Sequence, residues 1–372
     1  MMLTKEKIKS FIQENCNPYL TGISSASPFS SADKERFRNS MRALKEGNPI
    51  HSNEELFNCT DFMEDAKAVI VVATNSYFGK RAPMDSDEKN PVGEIGDFYM
   101  NDNIINSGME KTGKIVNFLK SNGYEAEVPF VGFSQKAKAA EAGIGMIGKN
   151  TLVINKKHGS WLTLSTIITN APLEPDTPSK DDCGKCNICV EACPTGALSK
   201  PYNLNVSKCI TYFLCHLKRE IPKQYREAIG VNIGNCTICS DVCPYNKQDL
   251  AINTKDKMPD EVIYPELIPS LNISEEEYQK KYGVKFFDFI IGGRRYFRRN
   301  VAVALGNSKC KEAIPELLKA LEDEDELVRS HTAWALGKIS GEKAKKGLEK
   351  ALSPETNLNV KEEIKSALSS NY

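Results

Sequence analysis

Cys183-Gly-Lys-Cys186-Asn-Ile-Cys189-Val-Glu-Ala-Cys193-Pro194 is the stretch that decides how this chain is read. It has the full bacterial ferredoxin spacing, in which three thiolates wrap one iron-sulfur cube and the fourth, just before proline, reaches across to a second. A shorter run, Cys236-Thr-Ile-Cys239-Ser-Asp-Val-Cys243-Pro244, follows it. Two cubes need eight thiolates, the runs hold seven, and Cys209 between them is the nearest eighth. The assignment is Cys183, Cys186, Cys189 and Cys243 on one cluster, with Cys193, Cys209, Cys236 and Cys239 on the other. Paired CxxC units also serve zinc, but the CxxCxxC triplet and the two Cys-Pro endings fit interleaved cubes better than two separate tetrahedral sites. A chain built this way moves electrons.

Twelve cysteines are present, so four lie outside this set. No secretory signal opens the sequence, and a cytoplasmic protein with reduced thiols is expected. Cys16, Cys59 and Cys310 read as small buried residues. Cys215 stands six residues after Cys209 and beside His216, and reads equally as a core residue, a redox-active thiol or a ligand.

Working outward, 372 residues are long for one domain, and roughly two or three are expected. Lys plus Arg equals Asp plus Glu at 49 each, so no global field draws the chain to a polyanion or a membrane. The apolar run Ala68 to Ala73 is too short to span a bilayer. Residues 1–178 alternate amphipathic helical stretches with β-branched runs: Ala68–Ala73 and Trp161–Ile168 predict strands, Ile104–Leu119 a helix. Pro172, Pro175 and Pro178 mark a linker into a ferredoxin-like region, 179–250. From 260 to 372 the sequence repeats: Arg299-Asn-Val-Ala-Val-Ala-Leu-Gly306 returns 31 residues later as Ser330-His-Thr-Ala-Trp-Ala-Leu-Gly337. Ala313, Ile314, Leu317, Leu318 and Leu321 make an apolar helix face between them, as do Leu348 and Leu352 beyond. Helix pairs that cannot bury such faces alone must stack, which predicts a short HEAT-type solenoid with Ala and Gly at its close approaches. The fold class is therefore α+β: an α/β domain, a double-cluster domain and a helical repeat.

Two further stretches bear on function. Arg294, Arg295, Arg298, Arg299, Lys309 and Lys311 form a basic cluster at helical spacing, suited to phosphates or else balanced by the acidic turn Glu322-Asp-Glu-Asp-Glu326. Gly143-Ile-Gly-Met-Ile-Gly-Lys-Asn-Thr151 leads into Asn155-Lys-Lys-His-Gly-Ser-Trp161. Its glycines suit either a flat ligand or a tight turn; the GxGxxG pattern precedes a strand, Thr151 to Ile154, where a dinucleotide fingerprint would open a helix.

The Gly143–Thr151 loop, the Gly159-Ser-Trp161 turn, the spacing of the eight cluster ligands, Cys209-Ile-Thr-Tyr212 and Arg299-Asn-Val-Ala-Val-Ala-Leu-Gly-Asn307 resemble, in that order, the epoxyqueuosine reductase family. The resemblance covers nearly the whole chain and is strongest from about Gly143 onward. It implies a nitroreductase-like domain that carries cobalamin, two 4Fe-4S clusters beside it, and deoxygenation of epoxyqueuosine in a tRNA anticodon to queuosine. The corrinoid reductive dehalogenases are related to that family. It places Gly143, Gly145, Gly148, Lys149, Asn150, Thr151, Ser160 and Trp161 near the corrinoid and gives Arg294, Arg295, Arg298 and Arg299 to tRNA. It also implies a monomer served by an external low-potential donor such as ferredoxin or flavodoxin.

Three departures stand against that pattern. The family's catalytic aspartate falls on Pro129, Phe98-Tyr99-Met100 replaces Asp-Tyr-His, and Phe213-Leu-Cys-His216 differs after the third cluster region. An opening epoxide needs a proton donor at its oxygen. Glu127 and Tyr99 are the candidate replacements, and each reads equally as an ordinary polar residue. Without an acid, the same scaffold would serve as an iron-sulfur electron-transfer protein that reduces a corrinoid or redox partner.

Overall fold

The computed structural model of the chain describes residues 3–36, 38, 58–79, 89–96, 102–129, 133–246, 250–255, 257–283 and 286–370. The apolar run forms β2 (Ala68–Asn75), which pairs antiparallel with β1 (Leu20–Ser25) and β6 (Leu162–Thr169), while β3 (Ala126–Glu127) closes the far edge. Opposite each other, Ile23, Ile70 and Ile167 fix the register. Both faces of β2 are buried, which is why its sequence is continuous rather than alternating. One face packs Ala68, Ile70 and Val72 under Ile8 and Ile12 of α1 (Lys5–Cys16) and Ile115 and Leu119 of α2 (Asp102–Ser121). The other packs Val69, Val71 and Ala73 against Ala137 and Ala139 of α3 (Gln135–Glu141). The glycine stretch leads into a hairpin of β4 (Met146–Ile147) and β5 (Val153–Ile154). Short helices α4 (Ile188–Glu191) and α5 (Ile238–Asp241) carry Cys189 and Cys239.

The chain gathers into two compact units, and these cut across the three consecutive parts expected from sequence. One comprises Met1–Gly79, Asn103–Val206 and Thr237–Asp256; the other Lys80–Asp102, Ser207–Cys236 and Lys257–Tyr372. The segment after Cys209 belongs with the helical tail because its own polar groups are answered there. The Ile221 N–H donates to His331 Nε2 at 3.1 Å, and the buried Arg226 pairs with Glu363 at 3.3 Å.

The tail consists of α6 (Arg294–Ser308), α7 (Ile314–Ala320), α8 (Glu326–Ile339), α9 (Glu342–Leu352) and α10 (Leu358–Ser370). The echoed Ala-Leu-Gly positions lie where helices approach most closely. A Cβ on Gly306 would stand 2.6 Å from the Trp334 ring of α8, and one on Gly337 would stand 2.8 Å from Ala367 of α10. Among the described residues no helix is long and apolar enough to cross a membrane.

Candidate iron-sulfur centre

Within the first unit, Cys183, Cys186, Cys189 and Cys243 line one cavity of about 270 Å³, together with Lys149, Asn150, Ile154, Pro244 and Tyr245. Thiols from both cysteine runs thus meet, as the interleaved ferredoxin pattern requires. The β4–β5 hairpin supplies the apolar floor, where Met146 and Ile154 pack against Cys243, with Cys183 and Tyr245 beside them. Burial pushes the Cys189 thiol up, and the neighbouring Cys183, Cys243 and Cys186 add to it. Four such sulfurs become thiolates together only opposite concentrated positive charge, so the donor set fits a 4Fe-4S cluster. Among the described residues no three His, Cys, Asp or Glu are gathered closely enough to hold a single metal ion. The sulfurs of a cube stand on separate irons and are spread wider than zinc ligands.

Lys149 and Asn150 brace this cage. Lys149 is only 7% exposed, and its Nζ donates to Gly184 O at 2.8 Å and Asn187 Oδ1 at 2.9 Å, both in the first cysteine run. Asn150 Nδ2 donates to Cys239 O at 3.3 Å in the second. Both were expected beside a corrinoid; their side chains hold the cysteine loops. The glycines serve the same hairpin. Gly143 has φ +72°, with Thr177 O 2.6 Å from where a Cβ would stand, and Gly145 and Gly148 are closed off by Ile154. Thr151 turns the chain at φ 65°. The Ser160 N–H donates to Asn246 Oδ1, and Ser160 Oγ accepts from Asn246 Nδ2, both at 2.8 Å. Trp161 alone of the eight keeps a buried polar side-chain atom without a partner, its indole Nε1, with the ring tilted toward Tyr77 at 6.2 Å.

Of the other four expected ligands, Cys193 and Cys239 lie in the first unit and Cys209 and Cys236 in the second. The Cys209 carbonyl accepts from the Phe213 N–H, which opens a π-turn, Tyr212–His216. Cys215 sits buried inside that turn, its thiol donating to Gly234 O and pushed up by burial to about 12. Its burial and this bond favour the core-residue reading. His216 ends the same turn, half-buried. Cys16, Cys59 and Cys310 are buried too.

The basic cluster resolves into structural contacts. Arg299 is fully buried and Arg298 nearly so, and neither is presented to a phosphate. Arg298 pairs with Asp323 at 2.5 Å, Arg294 with Glu275 at 2.8 Å, and Arg295 with Asp325 at 2.8 Å. The acidic turn answers two of the arginines, Arg295 and Arg298, and Arg295 remains the most exposed of the four. Glu127 lies exposed on the edge strand β3, and Pro129 just beyond it is buried. Tyr99 lies outside the described residues.

Residues 182–246 match the 4Fe-4S double cluster binding domain family, a span that contains all eight expected ligands, and residues 292–369 match HEAT repeats. The epoxyqueuosine reductase of Bacillus subtilis strain 168 is 36% identical over 268 residues, 70% of this chain and 68% of that protein. The chain belongs to the epoxyqueuosine reductase family. Its Listeria monocytogenes member is 38% identical over 233 residues, 62% of this chain, and the match spans 61% of that relative's length. A crystal structure of epoxyqueuosine reductase with an epoxyqueuosine-modified tRNA-Tyr stem loop superposes with a TM-score of 0.88 at 28% identity, covering 98% of this chain and 97% of that one. The α+β architecture, with its double-cluster segment and HEAT-like tail, is thus a family property.

Proposed function

We propose that this chain reduces epoxyqueuosine in tRNA to queuosine, taking up two electrons and two protons and releasing the epoxide oxygen as water. Membership of the family supports the reading, and the four-thiol cavity carries it, because it gives the chain its own means of passing electrons. The loop from Cys183 to Cys189 is the entry point: it lies at the surface, and Ile188 beside it is 42% exposed. A small low-potential donor such as ferredoxin or flavodoxin would dock there. The second cluster would use Cys193, Cys209, Cys236 and Cys239.

A cobalamin bound in the first unit would supply a strongly reducing cobalt centre for the epoxide. Of the eight expected residues, Trp161 is the one with an unused buried donor to offer it, whereas Lys149, Asn150 and Ser160 already have partners. Beside that group the chain's own residues bind the nucleoside, exclude water and place a proton. Glu127 is the carboxylic acid nearest to Pro129 in sequence and takes the proton-donor role here.

Anaerobic protein carrying about eight irons per chain is expected to convert an epoxyqueuosine stem loop to the queuosine form, read by mass spectrometry of the nucleosides. Cys193→Ser and Cys236→Ser should abolish product. Glu127→Gln should slow turnover by about 100-fold or more. The buried Pro129, which has no proton to give, favours a second reading: an electron-transfer protein that reduces a separate corrinoid or redox partner. Loaded protein that passes electrons yet leaves the epoxide intact would select that one.

A further inference from the structure

The second unit carries Cys209 and Cys236 on two segments that are tied to each other. Thr211 Oγ1 donates to Asn235 Oδ1 at 2.9 Å, and the Cys236 N–H faces both, 3.2 Å from the hydroxyl and 2.7 Å from the amide oxygen. Asn300 of α6 closes the pair from one side: its Nδ2 donates to Leu214 O at 3.0 Å and to Ile233 O at 2.9 Å, one carbonyl from each segment. Glu94 braces the other side, its carbonyl accepting from the Ile233 N–H at 2.8 Å. Arg299, adjacent to Asn300, directs its fork at Phe213 O, Leu217 O and Arg219 O at 2.6–2.9 Å and at Asn300 Oδ1. The two cysteine-bearing segments are thus bonded to each other and to this frame.

Charge adds an independent observation. Arg299 has no exposed surface, and among the described residues no carboxylate pairs with it. The face of the Tyr296 ring lies 5.3 Å away and offsets only part of the charge. A guanidinium buried without an anion is costly, and a nearby anion would offset that cost. Cys215, within electrostatic reach of both Arg299 and Cys209, keeps its proton. Cys209 lies within electrostatic reach of the same Cys215, and a cube held by four thiolates is an anion overall.

We infer that Arg299, together with Asn300, positions Cys209 and Cys236 and places a buried positive charge beside the segment that follows Cys209, where it acts on the cluster they ligate. This rests on the two-cluster reading above. The arginine that sequence offers to tRNA thereby acts on electron transfer, through the turn that carries a ligand.

Midpoint potentials of the clusters in anaerobic full-length protein, followed by electron paramagnetic resonance, test it alongside iron content and thermal unfolding. Arg299→Gln removes the charge and keeps some hydrogen bonding. It is expected to shift one of the two potentials downward and leave the other in place, because an added electron loses its nearby cation. Arg299→Lys should shift that potential less. Asn300→Ser cuts the tie without changing charge, and should lower occupancy of the same cluster by at least half with its potential kept. Unchanged potentials and full iron in folded Arg299→Gln would overturn the inference. Should that variant fail to fold, wild-type potentials and full occupancy in both Arg299→Lys and Asn300→Ser overturn it equally. Wild-type protein holding only about four irons would instead remove the two-cluster reading, and this inference with it.

Discussion

Lys149 is a cation placed where thiolates gather, held by two bonds to the loop that carries Cys183 and Cys186. Lys149→Met would leave Gly184 O and Asn187 Oδ1 without that donor, at a cost of about 1–3 kcal/mol. A lower Tm and faster bleaching of the cluster in air are the expected outcomes; wild-type bleaching kinetics would count against a bracing role. His331 gives a pH-dependent counterpart. Its Nε2 accepts from the Ile221 N–H, so the proton sits on Nδ1, 2.8 Å from Leu327 O. Burial, with Arg226 and Arg299 nearby, holds its pKa well below 6.5. The unfolded chain takes up a proton below about 6.5 and the folded one does not, so stability present above that pH is lost as pH falls, at up to ~1.4 kcal/mol per unit. Thermal unfolding between about pH 7 and 5 should show a slope that His331→Asn lacks, although that variant is less stable throughout. At this scale sequence was legible only in part. Cluster cysteines announce themselves because three ligands lie on one short loop. Lys149 does not, since its acceptors follow 35 and 38 residues later. Arg299 reads from sequence like any surface arginine, because burial depends on which segment covers it.

Helices and strands were the most legible level, because their periods are local. The runs at Ala68–Ala73 and Trp161–Ile168 became β2 and β6, and Ile104–Leu119 became α2, each with ends moved by a residue or two. The echoed Gly306 and Gly337 show what the repeat encodes: one helix passing close over the next. Gly306→Ala would place a methyl 2.6 Å from the Trp334 ring, and overpacking of about 1–3 kcal/mol is expected, read as a lower Tm. Gly113 in α2 makes the opposite case. It is exposed, with nothing within 4 Å of an added Cβ. Gly113→Ala should therefore stabilise by about 0.5–1 kcal/mol, from helix propensity and a less flexible unfolded chain. A Tm that moves the same way in both variants would mean that glycine contributes through something other than packing.

For the whole chain, electroneutrality limits how tRNA could be held. Basic and acidic residues are equal at 49, and the arginines of α6 already face carboxylates or carbonyls. Affinity for the stem loop is expected to fall less than about a thousandfold between about 50 and 200 mM salt, because few phosphates would be neutralised. A steeper fall in anisotropy titrations would reveal a basic surface elsewhere. The division into two units was not legible, since boundaries drawn along a sequence assume that neighbours in the chain stay neighbours in space. Here the segment between the cysteine runs takes its partners from the tail. The cage of Cys183, Cys186, Cys189 and Cys243 carries a consequence for how the protein is made. Its first three sulfurs leave the ribosome together, but the fourth is encoded 54 residues after the third. At roughly 5–20 residues per second that is an interval of about 3–11 s. Until Cys243 has emerged the nascent chain offers three thiols and an open corner, so the full ligand set exists only from that moment.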